Sequence, residues 1–531
     1  MTLLLLLAAA FFALQEGEDR DGLSFRVGGE VLLPWVEDGY GYVFLPSYVN
    51  LEGLTVQTEQ PLVLEELVLK NGMDCGGVEL GRYYRLENGE KLTFLKSENV
   101  PALFLDTASG SMDYIHREKG NEESGRLRLY DAQGTLNAAG DIQAVKARGN
   151  STFDPEKKPY SLTLSRKGDL LGMGAAKNWV LLANALDSSH LKNKFAYDFA
   201  GAAGLPYSPE SRFVDLYLNG EYRGLYLLCE RNELGENRIE VEDGFLVSKE
   251  QIYNLGDALS FQTDAGAWLR VRGNTLGQSR MEEIFQQAED AILDPAGDWQ
   301  RRIDLDSWAG KYLIEEIFGG IDAGIGSQYF FYDRAADKIF AGPVWDYDDT
   351  MGVDIWLGGE LFLENTPEIF YAHRSKETPW FHSLYDQPEF YERMTQLYRE
   401  TYAPLLAEFL QERLPDYRAQ IEQAALLNQT RWDTRDLGEQ VAYLSWFLRE
   451  RMEFLNAAWT ENRPFIPVHV DYSYEEFLCT YAIFDYAVTP GGFLPRLPAP
   501  EGYSWYLTGT DKPFDQGRPI LEETAVELRR N

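Results

Sequence analysis

The sequence predicts an α+β fold, and three observations carry that reading. Short strands punctuated by Gly and Pro open the chain, mixed strands and helices follow, and a long amphipathic, aromatic helical run fills residues 389–461. A β-rich half followed by a helical half leaves a natural cleft between two lobes. At 531 residues the chain exceeds one ordinary core, so about two to four domains are expected.

Taken in order, Leu3–Leu14 is almost uniformly apolar and is followed by Gln15-Glu16-Gly17-Glu18-Asp19. That length is too short to span a bilayer and fits a signal peptide over residues 1–16, hence a secreted, extracellular or cell-envelope protein. No basic stretch precedes it, as a truncated start would explain, and no Cys follows it to carry a lipid anchor.

Residues 23–99 read as a small, sandwich-like β domain, with strands at Ser24–Val27, Glu30–Leu33, Tyr42–Leu45 and Leu62–Leu69. The main domain, residues 100–465, opens with a strand at Pro101–Asp106. Further strands are expected at Leu127–Tyr130, Ala144–Ala147, Tyr160–Leu164, Trp179–Leu182, Phe213–Leu218 and Gly224–Cys229. Helices are expected at His190–Ala203, Arg280–Ile292 and Trp308–Phe318, the last capped by Asp306-Ser307. The aromatic residues Tyr398, Tyr402, Trp446, Phe447, Phe454 and Trp459 read as core. Residues 466–531 form a small C-terminal β module. Its stretch from Leu494 through Tyr503 resembles the β-grasp-like repeats appended to cell-surface proteins, over one unit, which implies cell-envelope association.

A net charge of −36 argues against non-specific nucleic-acid binding, because phosphates would be repelled. Any phosphate site must therefore gather its few cations locally or borrow metal ions. Cys75, Cys229 and Cys479 stand far apart and give neither a disulfide framework nor a CxxC pair. The five His residues form no HxH or HExxH pattern, so a zinc site is not expected.

The chemistry concentrates in two stretches. Gly320-Ile-Asp322-Ala-Gly-Ile-Gly-Ser-Gln328 puts an Asp on a glycine-rich loop with an amide six residues on. Gly342-Pro-Val-Trp-Asp346-Tyr-Asp348-Asp-Thr-Met-Gly352 follows, beyond a hairpin expected from Tyr329–Tyr332, a turn at Asp333–Asp337 and Lys338–Phe340. Phosphoryl transfer needs such a set: one carboxylate orients the attacking hydroxyl, while an amide and a second carboxylate hold the metal. Strand alternation would put Asp346 and Asp348 on one face and Trp345 with Tyr347 on the other, leaving Asp349 in solvent. Two carboxylates side by side favour a cation, and structural calcium is the rival reading.

Upstream, Arg148-Gly149-Asn150-Ser151-Thr152 is a small-residue turn whose backbone could approach phosphates. If Tyr160–Leu164 is a strand, period two puts Lys158 on its apolar face, where an anion would have to meet it, and Lys157 in solvent. Phe213–Glu230 reads as a hairpin through Asn219-Gly220.

Together, RGNST, KKPYSLTL (157–164), KNWVLLANALDSSHLKNKFAYDFA (177–200), FVDLYLNGEYRGLYLLCE (213–230) and AGPVWDYDDTMG (341–352) resemble the CotH (spore coat protein H) kinase family. The resemblance covers residues 100–465 and implies a two-lobed atypical protein-kinase-like domain flanked by small β domains. It implies a secreted, cell-surface or spore-coat kinase that transfers the γ-phosphoryl group of ATP to protein Ser or Thr with Mg²⁺ or Mn²⁺. By position, Arg148–Thr152 and Lys158 would contact the nucleotide phosphates, and Cys229-Glu230 would match the hinge where adenine docks. Asp322 would be the catalytic-loop aspartate and Asp346 the metal ligand, with Asp348 as a second. Asp198 is the candidate acidic partner of Lys158. Many family members carry Asn where this chain has Ser327-Gln328, which puts the second metal position in doubt. Two other readings are a non-catalytic surface adhesion or binding protein on the same fold, and a metal-dependent hydrolase using Asp346 and Asp348, which lacks the expected His ligands.

Overall fold

The computed structural model describes residues 22–352, 355–357, 360–363, 367–373, 378–474 and 483–531, so the candidate leader and Cys479 lie outside the described residues. The fold is α+β, and the chain divides into two compact units.

The first unit comprises the chain up to Ser188 together with Ser211–Glu230 and Tyr417–Leu437. Its centre is a closed seven-stranded barrel. The strands run around it as Ala102–Thr107, Glu122–Tyr130, Leu136–Ala147, Tyr160–Asp169, Ala175–Leu182, Glu221–Glu230 and Ser211–Leu218. Closure comes from parallel pairing of the first strand with the last, Ala102 opposite Asp215 and Leu105 opposite Leu218. Alternate residues fill the interior, among them Leu103, Leu105, Leu127, Val145, Leu162 and Trp179. The hairpin at Asn219-Gly220 forms as expected, with both residues at positive φ (51° and 85°), as the tight two-residue turn requires.

Residues 23–99 build a three-stranded and a four-stranded sheet, but they do not close a core of their own. Phe25, Phe44 and Phe94 share one apolar cluster with Phe104, Tyr217 and Tyr222 from the outer face of the barrel. The reason is visible in Ala102–Thr107: Leu103 and Leu105 point into the barrel, while Ala102 and Phe104 are also buried, on its other face. The buried carboxylate of Glu30 accepts from Arg128 at 2.5 and 2.7 Å across the same seam. The single strand expected over Leu62–Leu69 is instead a hairpin, Leu62–Leu64 with Leu67–Leu69, turned at Glu65 (φ 57°).

The second unit comprises Ser189–Glu210, Arg231–Asp416 and Gly438–Asn531. Its main sheet has the order Ser260–Gln262, Trp268–Asn274, Gly244–Lys249, Gln328–Asp333, Lys338–Ala341. The last two are the expected hairpin, with Phe331 opposite Phe340. The helix Leu305–Phe318 is capped by Asp304, whose side chain accepts from the Ser307 N–H, two residues ahead of the expected Asp306-Ser307. It stops at Gly319, which takes the left-handed conformation (φ 61°) and returns its N–H to the Glu315 and Glu316 carbonyls.

Phe318 packs edge-on against Phe195 and Phe199 of the helix Lys192–Ala202. Fully buried Arg451 donates to the Glu316 carbonyl and carboxylate and to the Ile369 carbonyl, so the ion pair is also hydrogen-bonded throughout. Tyr398, Tyr402, Phe447, Phe454 and Trp459 are buried, whereas Trp446 is exposed and stacks on Tyr443 at 5.6 Å. The C-terminal five-stranded sheet takes its first strand from Ile369–Phe370, inside the segment assigned to the main domain. Residue 466 is therefore not a break in packing.

Candidate functional site

In the second unit, a small cleft is lined by Glu315, Asp322, Ser327, Gln328, Asp346 and Asp349, with backbone from the intervening glycines. Each is placed by its neighbours in sequence. The Gly319 cap turns the chain out of the helix, and the Gly320 N–H returns to the Glu315 carbonyl at 3.0 Å. A Cβ on Gly320 would lie 2.3 Å from Glu315 Oε2, so any larger residue there has to displace that carboxylate.

The backbone carbonyl of Asp322 closes the next turn by accepting from the N–H groups of Ile325 (2.8 Å) and Gly326 (3.1 Å). The ammonium of Lys249, buried in the neighbouring strand, fixes this loop by donating to the Ile325 carbonyl at 2.9 Å, and Thr378 Oγ1 holds the Gly324 carbonyl. Gln328 then begins the strand opposite Lys249. Its amide nitrogen donates to the Gly326 carbonyl at 3.3 Å, while its Oε1 is buried with no hydrogen-bond partner.

Residues 342–347 form no strand, contrary to the alternation expected there. Asp346 takes a left-handed backbone (φ 70°), so its exposed carboxylate turns to accept from Ser327 Oγ at 2.7 Å. Because the alternation is broken at that residue, Asp346 and Asp348 do not share a face. Asp348 is only 9% exposed, and its backbone carbonyl accepts from Lys192. Asp349, expected in solvent, lines the pocket instead.

Trp345 and Tyr347 are both buried. Tyr347 OH lies 2.6 Å from Glu315 Oε1 and 2.8 Å from the Lys311 ammonium, which also meets that carboxylate oxygen. Burial, reinforced by the Glu315 charge, pushes the Tyr347 phenol well above its usual range, so it remains a neutral donor. Burial also pulls Arg272 down, but the surrounding Tyr329, Glu250 and Asp346 outweigh it and raise its pKa. Arg272 thus supplies positive charge beside Asp346.

The first unit holds Arg148–Thr152, Lys157, Lys158, Cys229 and Glu230, while Asp198 belongs to the second. Gly149 has φ 101°, and a Cβ there would fall 2.0 Å from Thr152 Oγ1, so the Arg148–Thr152 turn depends on that glycine. The Arg148 N–H donates to the Pro159 carbonyl, and Asn150 accepts from Lys119. The two lysines exchange their expected roles. Lys157 is the inward one, 4% exposed, donating to the Ala183 and Leu225 carbonyls at 2.7 Å each and lying over the Tyr226 ring. Burial, partly opposed by Asp215, pulls it down to about 7.

Lys158 is partly exposed and folds back onto the carbonyls of Phe153 and Pro155 at 2.5 and 3.3 Å. The strand begins only at Tyr160, so period two does not extend backwards through Pro159. Cys229 is buried, with Sγ 3.6 Å from the Val180 carbonyl, and Glu230 ends the strand. Asp198 pairs with Lys194 of its own helix at 2.7 Å.

The pocket is acidic and lined by oxygen donors, which suits a hard divalent cation. The orphaned Gln328 Oε1 is the specific fit: a buried carbonyl without a donor is costly, and a cation beside it would remove that cost. Glu315, Lys249, Lys311 and Thr378 did not stand out in the sequence. The one available signal was Lys311 and Glu315, opposite charges four residues apart on one helix.

Residues 145–455, more than half of the chain, match the family model described as CotH kinase protein. Among curated proteins, none matches the chain.

Proposed function

The chain belongs to the CotH kinase protein family, and from that premise we propose that it is a metal-dependent atypical protein kinase acting outside the cell, at the cell envelope or in a spore coat. It transfers the γ-phosphoryl group of ATP to Ser or Thr side chains of a protein. The observation that carries this reading is the partnerless Oε1 of Gln328, buried in the pocket that Asp322 and Asp346 also line.

Mg²⁺ or Mn²⁺, when bound, neutralises phosphate charge as it develops. Asp346 and Gln328 Oε1 would hold it, with Asp349, which lines the pocket, as a second carboxylate in place of Asp348. Ser327 fixes the orientation of Asp346. Asp322 orients the incoming hydroxyl and receives its proton. The family resemblance, and not a contact between the two units, assigns the nucleotide phosphates to Arg148, the Gly149–Thr152 turn and Lys158, the base to Cys229 and Glu230, and a cell-envelope contact to residues 466–531. The need for a metal is supported by charge: the net charge is −36, and Lys157, Lys249 and Lys311 already serve carbonyl or carboxylate oxygens.

Titrating the full chain with ATP, with and without Mg²⁺ or Mn²⁺, tests the reading. Binding that requires the divalent ion and is lost in Asp346→Asn is expected; no ATP binding at millimolar concentration overturns it. A non-catalytic binding protein on this fold is favoured only by Lys158, whose amine is engaged by its own loop. That reading expects ATP binding without transfer, or neither.

A further inference from the structure

Three of the five histidines converge on one carboxylate. His373 ends the turn Tyr371–His373, His382 lies on the helix Trp380–Tyr385, and His469 sits directly across from Asp485 in the C-terminal sheet. Asp485 Oδ2 is 2.9 Å from His373 Nδ1 and 3.7 Å from His382 Nδ1, while Oδ1 is 2.7 Å from His469 Nδ1. One ligand atom from each of His373, His382 and Asp485 lies within 4.8 Å of the others.

Hydrogen bonding explains His373 and His469 but not His382, whose 3.7 Å separation is too long for a bond to Asp485. Ligands about 2.0–2.2 Å from a shared tetrahedral ion lie a little over 3 Å apart, so a small inward movement of His382 would complete the set. The neighbours suit metal ligation as well. Tyr312 OH lies 3.1 Å from His373 Nε2, so when an ion replaces the proton between Nδ1 and Asp485, Nε2–H can donate to that hydroxyl while Nδ1 gives its lone pair to the metal. His469 holds the far oxygen of Asp485 and leaves Oδ2 for the ion. His373 and Asp485 are buried, and the His382 side chain is 41% exposed, which gives an entry path.

We propose that His373, His382 and Asp485 bind one Zn²⁺ ion, with a water in the fourth position and with Tyr312 and His469 orienting the ligands. The site clamps the C-terminal strands Ile466–Asp471 and Ile483–Val488 to the turn Tyr371–His373 and the helix Trp380–Tyr385. It shares no residue with the candidate kinase pocket, and His469 and Asp485 lie beyond the family match.

The test is titration of the chelator-stripped full chain with Zn²⁺, and with Co²⁺ as a spectroscopic probe. Expected are one equivalent bound, a visible Co²⁺ spectrum of a nitrogen-ligated four-coordinate site, and a higher thermal midpoint with Zn²⁺. His382→Gln, at the most exposed ligand, abolishes all three; His469→Gln weakens binding about 10–100-fold; Asp346→Asn leaves binding intact. No stoichiometric binding by the wild type, a Co²⁺ spectrum without nitrogen ligands, or equal binding by a folded His382→Gln overturns the proposal.

Discussion

Ser327 donates its hydroxyl to Asp346 at 2.7 Å, and both residues hold a left-handed backbone, with φ of 53° and 70°. Side chains other than Gly rarely occupy that region, and strain of this kind concentrates where geometry serves a site. The bond ties the loop before the Gln328–Asp333 strand to the loop after Lys338–Ala341, so the hairpin brings Asp322, Gln328 and Asp346 to one pocket.

Replacing Ser327 by Ala keeps the backbone strain and removes the hydrogen bond. A bond to a charged group is worth about 1.5–3 kcal/mol, so the orientation of Asp346 should loosen and Mn²⁺ affinity in the presence of ATP should fall about tenfold or more. Competition titration with a Mn²⁺ indicator measures this. Unchanged affinity would remove Ser327 from the site.

Gln328→Leu separates stability from function. It removes a buried carbonyl oxygen that has no donor, at the loss of one long hydrogen bond to Gly326. Leaving such an oxygen unsatisfied costs about 1–3 kcal/mol, so the variant should unfold at higher denaturant concentration by about 1 kcal/mol. Divalent-dependent ATP binding should be lost in the same protein. Chemical denaturation and nucleotide titration read the two effects.

Gly320→Ala should destabilise by about 1–3 kcal/mol, the usual cost of overpacking. The new Cβ meets Glu315 Oε2 at 2.3 Å, and Glu315 cannot yield freely because Lys311 and Tyr347 hold its other oxygen. A wild-type unfolding midpoint in this variant would show that Glu315 is mobile.

Asp215 gives a pH signature. Burial pushes its carboxyl up to about 7 against the hydrogen bond from Tyr222 and the charge of Lys157, whereas the unfolded group titrates near 3.8. Between those values the folded state keeps a proton that the unfolded state has released. The contribution of Asp215 to stability is therefore present below about pH 4 and declines as pH rises toward 7. Asp215→Asn carries no such dependence. Its stability relative to wild type should improve steadily from pH 4 to 7 in denaturant titrations, and a constant difference would contradict the raised value.

The elements most legible in the sequence were those fixed by local chemistry. The Asn219-Gly220 turn, the Gln328–Ala341 hairpin and the helix ending at Gly319 all follow from neighbouring residues. Barrel closure was not legible, because Ala102 and Asp215 meet across more than a hundred residues. Residue alternation misled wherever it was carried beyond a strand. Lys157 rather than Lys158 turns inward because the strand starts after Pro159, and Asp349 rather than Asp348 lines the pocket because Asp346 reverses the backbone. Asp322, Gln328 and Asp346 were legible as a set from their glycine-rich and Trp-Asp-Tyr-Asp surroundings. Glu315 and Lys249 reach the site only through tertiary packing. The histidines looked scattered in sequence, and only the pairing of Ile466–Asp471 with Ile483–Val488 brings His469 to Asp485.

The most direct measurement is transfer of labelled γ-phosphate from ATP, in Mg²⁺ or Mn²⁺, to a Ser/Thr-rich acceptor protein and to the chain itself. It compares wild type with Asp322→Ala and Asp346→Asn at matched thermal midpoints. The expected result is divalent-dependent transfer by wild type and a loss of about 10²–10⁴-fold in Asp322→Ala, with Asp346→Asn also losing its response to the metal. Transfer undiminished in a folded Asp322→Ala, or wild-type protein that binds ATP and metal yet transfers nothing, would contradict it.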